Sequence, residues 1–170
     1  IYNSNLIKFF FFSVELNEKA LHSNITNILE TDTVLYRGNK GEKLEVRQKK
    51  NWDPLIKYVE INYKMVFKIQ YGIMPVVQDT NNKAILLSYL SKLSSKRLTI
   101  FYFLTKLTNS VIITMNFLDS IINKEKAWEL ANIEDNYNVL EWGEDKEQKD
   151  RFLLKKTFYV DIINFKNLIT

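Results

Sequence analysis

Six carboxylates between residues 134 and 147 form the densest group of side chains in this sequence that could do chemistry. Paired acids can bind Mg²⁺ or act as the two carboxylates of a glycosidase. Here they alternate with Lys146 and Lys149, and oppositely charged pairs on a solvated helix produce the same pattern. A solvated surface is therefore the favoured interpretation, and a metal-dependent enzyme stays open as an alternative. The six are Glu134, Asp135, Glu141, Glu144, Asp145 and Glu147.

Other residues that support catalysis are scarce. The chain has no cysteine and a single histidine, His22, which excludes thiolate catalysis, disulfides and cysteine-ligated metals and leaves almost nothing for a multi-histidine site. There is no Gly-rich phosphate loop and no Ser-x-x-Lys, Gly-x-Ser-x-Gly or His-Glu-x-x-His pattern. We therefore expect no cofactor, no metal and no enzymatic activity.

Trp142 stands beside Gly143 within the acidic cluster. A partly exposed tryptophan next to charges has the composition of a protein interface hot spot, although packing against the core is an equally good interpretation. Trp128, in contrast, lies on an apolar helical stripe and is expected in the core.

Charge is unevenly distributed along the chain. Residues 1–123 carry 16 basic and 10 acidic side chains, residues 124–150 carry 4 and 9, and residues 151–170 carry 4 and 1. A basic body with one acidic segment favours a specific protein partner. The lysines are scattered and no arginine-rich stripe with aromatic side chains is present, so we expect no nucleic-acid binding.

The elements that must position these residues are predicted to be helical. Of 170 residues 46% are hydrophobic, enough for one buried core, and only 4 are glycine and 2 proline. Residues 98–118 are apolar enough to suggest a membrane span. Lys106 in the middle and a break at Asn109-Ser110 favour two core helices instead, and no stable membrane insertion.

Two local predictions concern the middle of the chain. Asp53 is a good N-cap and Pro54 a good first residue, so a helix is predicted to begin there. A short strand is predicted for residues 66–69.

Three stretches occur in an order and spacing that resemble one family. They are TDTVLYR at Thr31–Arg37, Gln48-x-x-x-Trp52-Asp53-Pro54, and the run from Ala127 to Asp145 that contains AWELA, EDxY and WGED. Over roughly residues 30 to 165 the chain resembles the mitochondrial and alphaproteobacterial assembly chaperones that handle the alpha subunit of the F-type ATP synthase.

That resemblance implies a small β-rich N-terminal domain followed by a helical C-terminal domain. We therefore expect a mainly α fold, a bundle-like helical domain with at most a remnant of the β-rich domain. The chain divides into an N-terminal helical segment, residues 1–29, which matches the family weakly, and an α-helical chaperone domain, residues 30–170.

The implied function is non-enzymatic. Such a chaperone binds the unassembled alpha subunit and shields its interface until the beta subunit replaces it. The expected location is the mitochondrion, in the matrix or associated with the inner membrane, with the cytoplasm of an alphaproteobacterium as the alternative. A permanent structural or interaction subunit of a larger mitochondrial complex is the alternative function.

The family motifs also imply where the partner binds. Carried over to this sequence, the contact residues are Glu134, Asp135, Trp142, Glu144 and Asp145.

Four further family positions are expected to be structural rather than contact residues. Asp32 and Arg37 are predicted to pair with each other, and Trp52 and Asp53 to start a helix.

Overall fold

A computed structural model describes residues 17–72 and 76–169 of the chain. Within these residues the fold is mainly α, as predicted, and the small sheet has two parallel strands of two residues each. The first 16 residues of the predicted N-terminal segment lie outside the described part, and the division at residue 30 stays a prediction. The elements are α1 (Glu18–Glu30), a 3-10 helix (Thr33–Leu35), β1 (Tyr36–Arg37), α2 (Lys43–Tyr63), β2 (Gln70–Tyr71), α3 (Thr80–Leu90), α4 (Ser95–Thr108), α5 (Val111–Leu118), α6 (Lys124–Ala131), α7 (Ile133–Trp142) and α8 (Lys146–Ile169).

The apolar stretch at residues 98–118 forms two helices, as predicted. Asn109 ends α4 in the left-handed region, with φ 51°. The Ser110 hydroxyl then accepts the backbone N–H of Ile113 at 3.0 Å and caps α5. Across the described residues, 17–72 and 76–169, no helix combines the length and the hydropathy that a membrane span requires.

The predicted helix start at Asp53 is wrong, because α2 runs unbroken from Lys43 to Tyr63 with Pro54 inside it. Proline removes one backbone hydrogen bond and usually ends a helix. Here the inward face on both sides of it, which includes Trp52 and Leu55, is buried in the core. Pro54 itself is exposed, and the packing of the opposite face keeps the helix continuous.

The strand predicted at residues 66–69 is also wrong. The backbone N–H and carbonyl of Val66 bond to the side chain of Asn82, at 2.9 and 2.8 Å. Those of Lys68 bond to the side chain of Gln78, at 3.0 and 2.9 Å. Side-chain amides therefore satisfy backbone groups that a neighbouring strand would otherwise satisfy, and regular pairing begins only at Gln70.

Two hydrophobic clusters form the core. The larger combines residues of α1 to α7, including Ile25, Trp52 and Ile112. The smaller lies under α8, where Tyr159 and Ile162 pack with a set from α4 and α6. This set is Ile100, Leu104 and Trp128, and the predicted core position of Trp128 is confirmed by its 8% exposure. Helix α8 is thus held by a cluster of its own.

Candidate partner-binding site

The five predicted contact residues lie on α7 and the turn that leads into α8. Trp142 is the last residue of α7, and 73% of it is exposed. Leu140, two residues earlier, is exposed to the same extent. Gly143 follows with φ 85°, a left-handed conformation that suits glycine and separates the two helices. Two large apolar side chains are therefore presented to solvent at one end of α7.

A groove of about 310 Å³ runs between α7 and the first half of α8. Asp135 and Glu144, two of the predicted residues, line it. Trp142 lies seven residues after Asp135, hence almost two turns along the same helical face, beyond the residues that line the groove. The other lining residues are Asn136, Val139, Gln148, Arg151, Phe152 and Lys155.

The two walls of this groove carry opposite charges. Asp135 and Glu144 contribute acids, while Arg151 and Lys155 on α8 contribute bases. The Lys155 ammonium lies 3.4 Å from the Asn132 side-chain oxygen. Burial lowers the pKa of Lys155, and the negative charge of Asp135 opposes that shift. The groove is therefore suited to a polypeptide segment that bears charges of both signs and an apolar side chain.

Glu134 has a different environment from its neighbour. Its Oε1 accepts a hydrogen bond at 2.6 Å from Nε2 of Gln48, a fully buried residue of α2. Burial raises the pKa of the Glu134 carboxyl, Asp135 raises it further, and Gln48 and Arg37 lower it. Glu134 is an exposed residue, and its hydrogen bond with Gln48 connects α7 to α2.

Asp145 and Glu144 shape the start of α8. The Asp145 carboxylate accepts the backbone N–H of Gln148 at 2.7 Å, which is helix-capping geometry. Glu144 lies 3.9 Å from the Lys149 ammonium, an exposed ion pair of little energetic weight. Of the five residues, Asp135 and Glu144 line the groove, and Trp142 is exposed at the end of α7 outside that lining. Glu134 faces α2, and Asp145 caps α8.

Sequence reasoning missed a polar network that joins the family motifs, which we call the motif network. Its centre is Arg37, whose guanidinium bonds to the Val34 carbonyl and forms an ion pair with Asp53 at 3.0 Å. The same group lies 4.8 Å from the ring centroid of Trp52. The Trp52 indole N–H donates to the Leu130 carbonyl at 3.0 Å. Residues of the three sequence stretches are therefore in contact. The order and spacing in which the stretches occur was the signal in the sequence that could have indicated this contact.

The predicted pairing of Asp32 with Arg37 is wrong, since Arg37 pairs with Asp53. Asp32 is fully buried and accepts the backbone N–H groups of Val34 at 3.0 Å and Ile112 at 3.1 Å. It thus holds the 3-10 helix against the first turn of α5, where a negative charge is favourable. Burial raises the pKa of Asp32 to about 6, while these hydrogen bonds and one with Ser110 lower it.

A metal-dependent mechanism finds no support in this geometry. Among the residues that the structure describes, no three histidine, cysteine, aspartate or glutamate side chains are arranged to hold a metal ion. The acids of the cluster instead accept hydrogen bonds or line the open groove.

Known proteins are similar to this chain in both sequence and fold. Residues 11–60 match the family model described as "ATP12 chaperone protein". The protein atp12, mitochondrial, of Schizosaccharomyces pombe is 30% identical over 148 residues, which are 81% of this chain and 50% of that protein. The chain therefore spans half the length of this curated relative.

Solved structures of similar proteins superpose closely on this chain. A single-residue variant of Atp12p from P. denitrificans superposes with a TM-score of 0.86 at 25% identity, covering 92% of this chain and 67% of that one. A second structure, Atp12 from Paracoccus denitrificans, gives 0.83 at 25% identity, covering 89% and 65%. A protein from Agrobacterium tumefaciens, 24% identical, has the same fold, with a TM-score of 0.83 over 91% and 58%.

Three observations agree with one another. Residues of the three sequence stretches meet in one network, the fold is helical, and known proteins are similar in sequence and in structure. The family is described as a chaperone, which is a non-enzymatic role. The chain is similar to the ATP12 chaperone family in sequence and in fold.

Proposed function

We propose that this chain is an assembly chaperone of the F-type ATP synthase that binds the unassembled alpha subunit in the mitochondrion, in the matrix or at the inner membrane. It shields the interface of that subunit until the beta subunit replaces it. The family description and the mitochondrial relative support the general role. The observation that carries the proposal is the exposure of Trp142 and Leu140 at the end of α7, next to a groove that is lined by acidic and basic side chains.

The proposed contact surface uses two kinds of interaction. Trp142 is buried against apolar surface of the partner, as an interface hot spot. Asp135, Glu144 and Asp145 face basic groups, which raises the association rate and selects the partner. Glu134 borders this surface, and its bond to Gln48 fixes the position of α7 on α2.

Release requires no energy source. The beta subunit displaces the chaperone if its own contact with alpha is stronger, and each tenfold difference in affinity corresponds to about 1.4 kcal/mol. An exposed tryptophan beside a small groove suits such a replaceable contact.

Co-expression with the alpha subunit tests the proposal. Wild-type chain is expected to increase soluble alpha and to co-purify with it. Trp142→Ala and Glu144→Lys each remove part of the contact, and the tryptophan substitution weakens binding by about 30-fold or more. Alpha that is equally insoluble with and without the chain would refute the function.

Matched controls locate the surface. Leu154→Ala truncates an apolar side chain as exposed as Trp142, but on the outer side of α8. Glu125→Lys reverses an exposed charge on α6. Both controls are expected to retain binding. If the site and control variants behave alike while folding normally, the proposed surface is misplaced.

A permanent structural or interaction subunit is the second candidate function. It is favoured by three exposed leucines on α8, at 153, 154 and 168, which would suit a lasting interface. Purification of the mature ATP synthase separates the two candidates. A chaperone is found with free alpha subunit only, whereas a permanent subunit stays with the assembled complex.

A further inference from the structure

The solvent face of α2 carries a row of lysines at regular intervals. Lys43, Lys50, Lys57 and Lys64 are seven residues apart and all exposed. Seven residues are almost two helical turns, so Lys43, Lys50 and Lys57 within α2 form one line with about 10 Å between neighbours, and Lys64 follows directly after the helix with φ 61°. Between them lie three exposed apolar side chains, Val46 (56% exposed), Pro54 and Ile61 (55% exposed). We call these seven residues the lysine ridge.

The positive charges of the ridge lysines are not neutralised by ion pairs within the described residues. None of its four lysines forms an ion pair within residues 17–72 and 76–169. Lys64 donates only to the carbonyl of Ile61, at 2.9 Å. The acids that flank the ridge already hold hydrogen bonds within the protein, Glu42 with Asn39, Asp53 with Arg37 and Glu60 with the backbone of Phe67. These three acids therefore form no direct ion pair with the lysines of the ridge.

We propose that the lysine ridge is a peripheral binding site for an anionic membrane surface. Lysine ammoniums reach phosphate headgroups while their stems and the aliphatic side chains rest at the level of the headgroups. Helix α2 is about 30 Å long, so the ridge can lie along a flat surface. It lies opposite the buried face of α2, which holds Gln48 and Trp52.

Other partners fit the ridge less well. In a coiled coil the seven-residue positions form the apolar seam, and a lysine at every one of them disfavours a helical partner. Single-stranded nucleic acid requires stacking on aromatic side chains, and the ridge contains none. Lysine is also a point charge without the bidentate geometry that arginine offers to specific acceptors.

Each lysine near an anionic bilayer strengthens binding by about fivefold. Reversing two of them, in the double variant Lys50→Glu and Lys57→Glu, is therefore expected to weaken vesicle binding by at least about 25-fold. Both side chains are exposed, so the fold is expected to be retained.

Co-sedimentation of the full chain with vesicles tests the proposal. One set consists of equal parts phosphatidylcholine and phosphatidylglycerol, and the other of phosphatidylcholine alone. The wild type is expected to sediment with the first set only and to dissociate in high salt, which screens the attraction. The ridge variant is expected to stay in solution.

The matched control is Lys92→Glu with Lys96→Glu, which makes the same change in net charge at two exposed positions, one between α3 and α4 and one in the first turn of α4. It is expected to bind vesicles like the wild type. Equal loss in both variants, or no wild-type binding, overturns the proposal. Binding to poly-glutamate through the ridge without vesicle binding would assign an acidic polypeptide instead. The α7–α8 groove is a different surface, so vesicle binding and alpha-subunit binding can fail independently.

Discussion

At the scale of single residues, the polar side chains of the motif network hold one another. Arg37 contacts both Asp53 and Trp52, and Gln48 contacts Glu134. Gln48 also accepts the Gly38 backbone N–H at 2.8 Å, so one amide joins α2, α7 and the residue that follows β1. A structural role for Arg37, Trp52 and Asp53 could be predicted from the sequence. Their actual partners could not, because 16 residues separate Arg37 from Asp53 and local spacing does not reveal such pairs.

Trp52→Phe tests the importance of this network. The substitution removes the donor to the Leu130 carbonyl and leaves that buried acceptor unsatisfied, which costs about 1–3 kcal/mol of unfolding free energy. Urea denaturation measures the loss. Trp142→Phe is the matched control, expected to change stability by less than about 0.5 kcal/mol because the side chain is exposed. Equal effects of the two substitutions would contradict the assigned role.

Asp32 should make stability depend on pH. Its carboxyl has a pKa of about 6 in the folded chain against 3.8 as the ordinary value, so between these values the folded state binds more protons. The contribution of Asp32 to unfolding free energy is thus fully present below about pH 3.8 and declines as pH rises through about 6. The loss amounts to at most about 3 kcal/mol.

Comparison with Asp32→Ala isolates this contribution from that of the other acids. The variant is expected to be less stable than the wild type, and the difference in unfolding free energy should narrow from pH 4 to pH 7. Urea denaturation at several pH values measures it. A difference that widens as pH rises would show that ionised Asp32 is favoured in the fold.

At the scale of elements, the sequence predicts the helices better than their limits. Polar caps such as Ser110 mark boundaries in the sequence because a side chain next to the helix makes the bond. Tertiary packing overrides two other local signals. Pro54 stays inside α2, since burial of the inner face outweighs one missing hydrogen bond, and residues 66–69 bond to distant side chains instead of forming a strand.

We expect helix α8 to unfold locally while most of the fold stays intact. Ile162 is buried in the small cluster under this helix, and Ile162→Ala is expected to cost about 2–4 kcal/mol in local stability. Because α1 to α3 contribute only to the larger cluster, amide exchange should rise mainly in residues 146–169 and less in α1 to α3.

The exposed Leu154 provides the control for that experiment. Leu154→Ala lies on the same helix but outside the cluster and is expected to leave exchange almost unchanged. Uniform acceleration throughout the chain in the Ile162 variant would mean that α8 and the main core unfold as one unit.

At the scale of the whole molecule, the chain has two distinct charged surfaces, the acidic segment and the lysine ridge. The acidic segment could be predicted from the distribution of charges along the sequence, whereas the sequence left exposure and core packing of Trp142 as equally good interpretations, and the structure shows it exposed. The lysine ridge could not, because the predicted helix start at Asp53 separates Lys43 and Lys50 from Lys57 and Lys64. Only the continuous α2 places Lys43, Lys50 and Lys57 in one line, with Lys64 directly after its last residue. Long-range packing thus determines a surface that local patterns do not reveal.

Amide hydrogen exchange of the chain with and without the alpha subunit tests the central claim most directly. If this chain shields alpha through the α7–α8 surface, exchange slows in residues 135–148 and stays unchanged along the lysine ridge. Slower exchange confined to another face, or no change at saturating alpha subunit, would contradict the account.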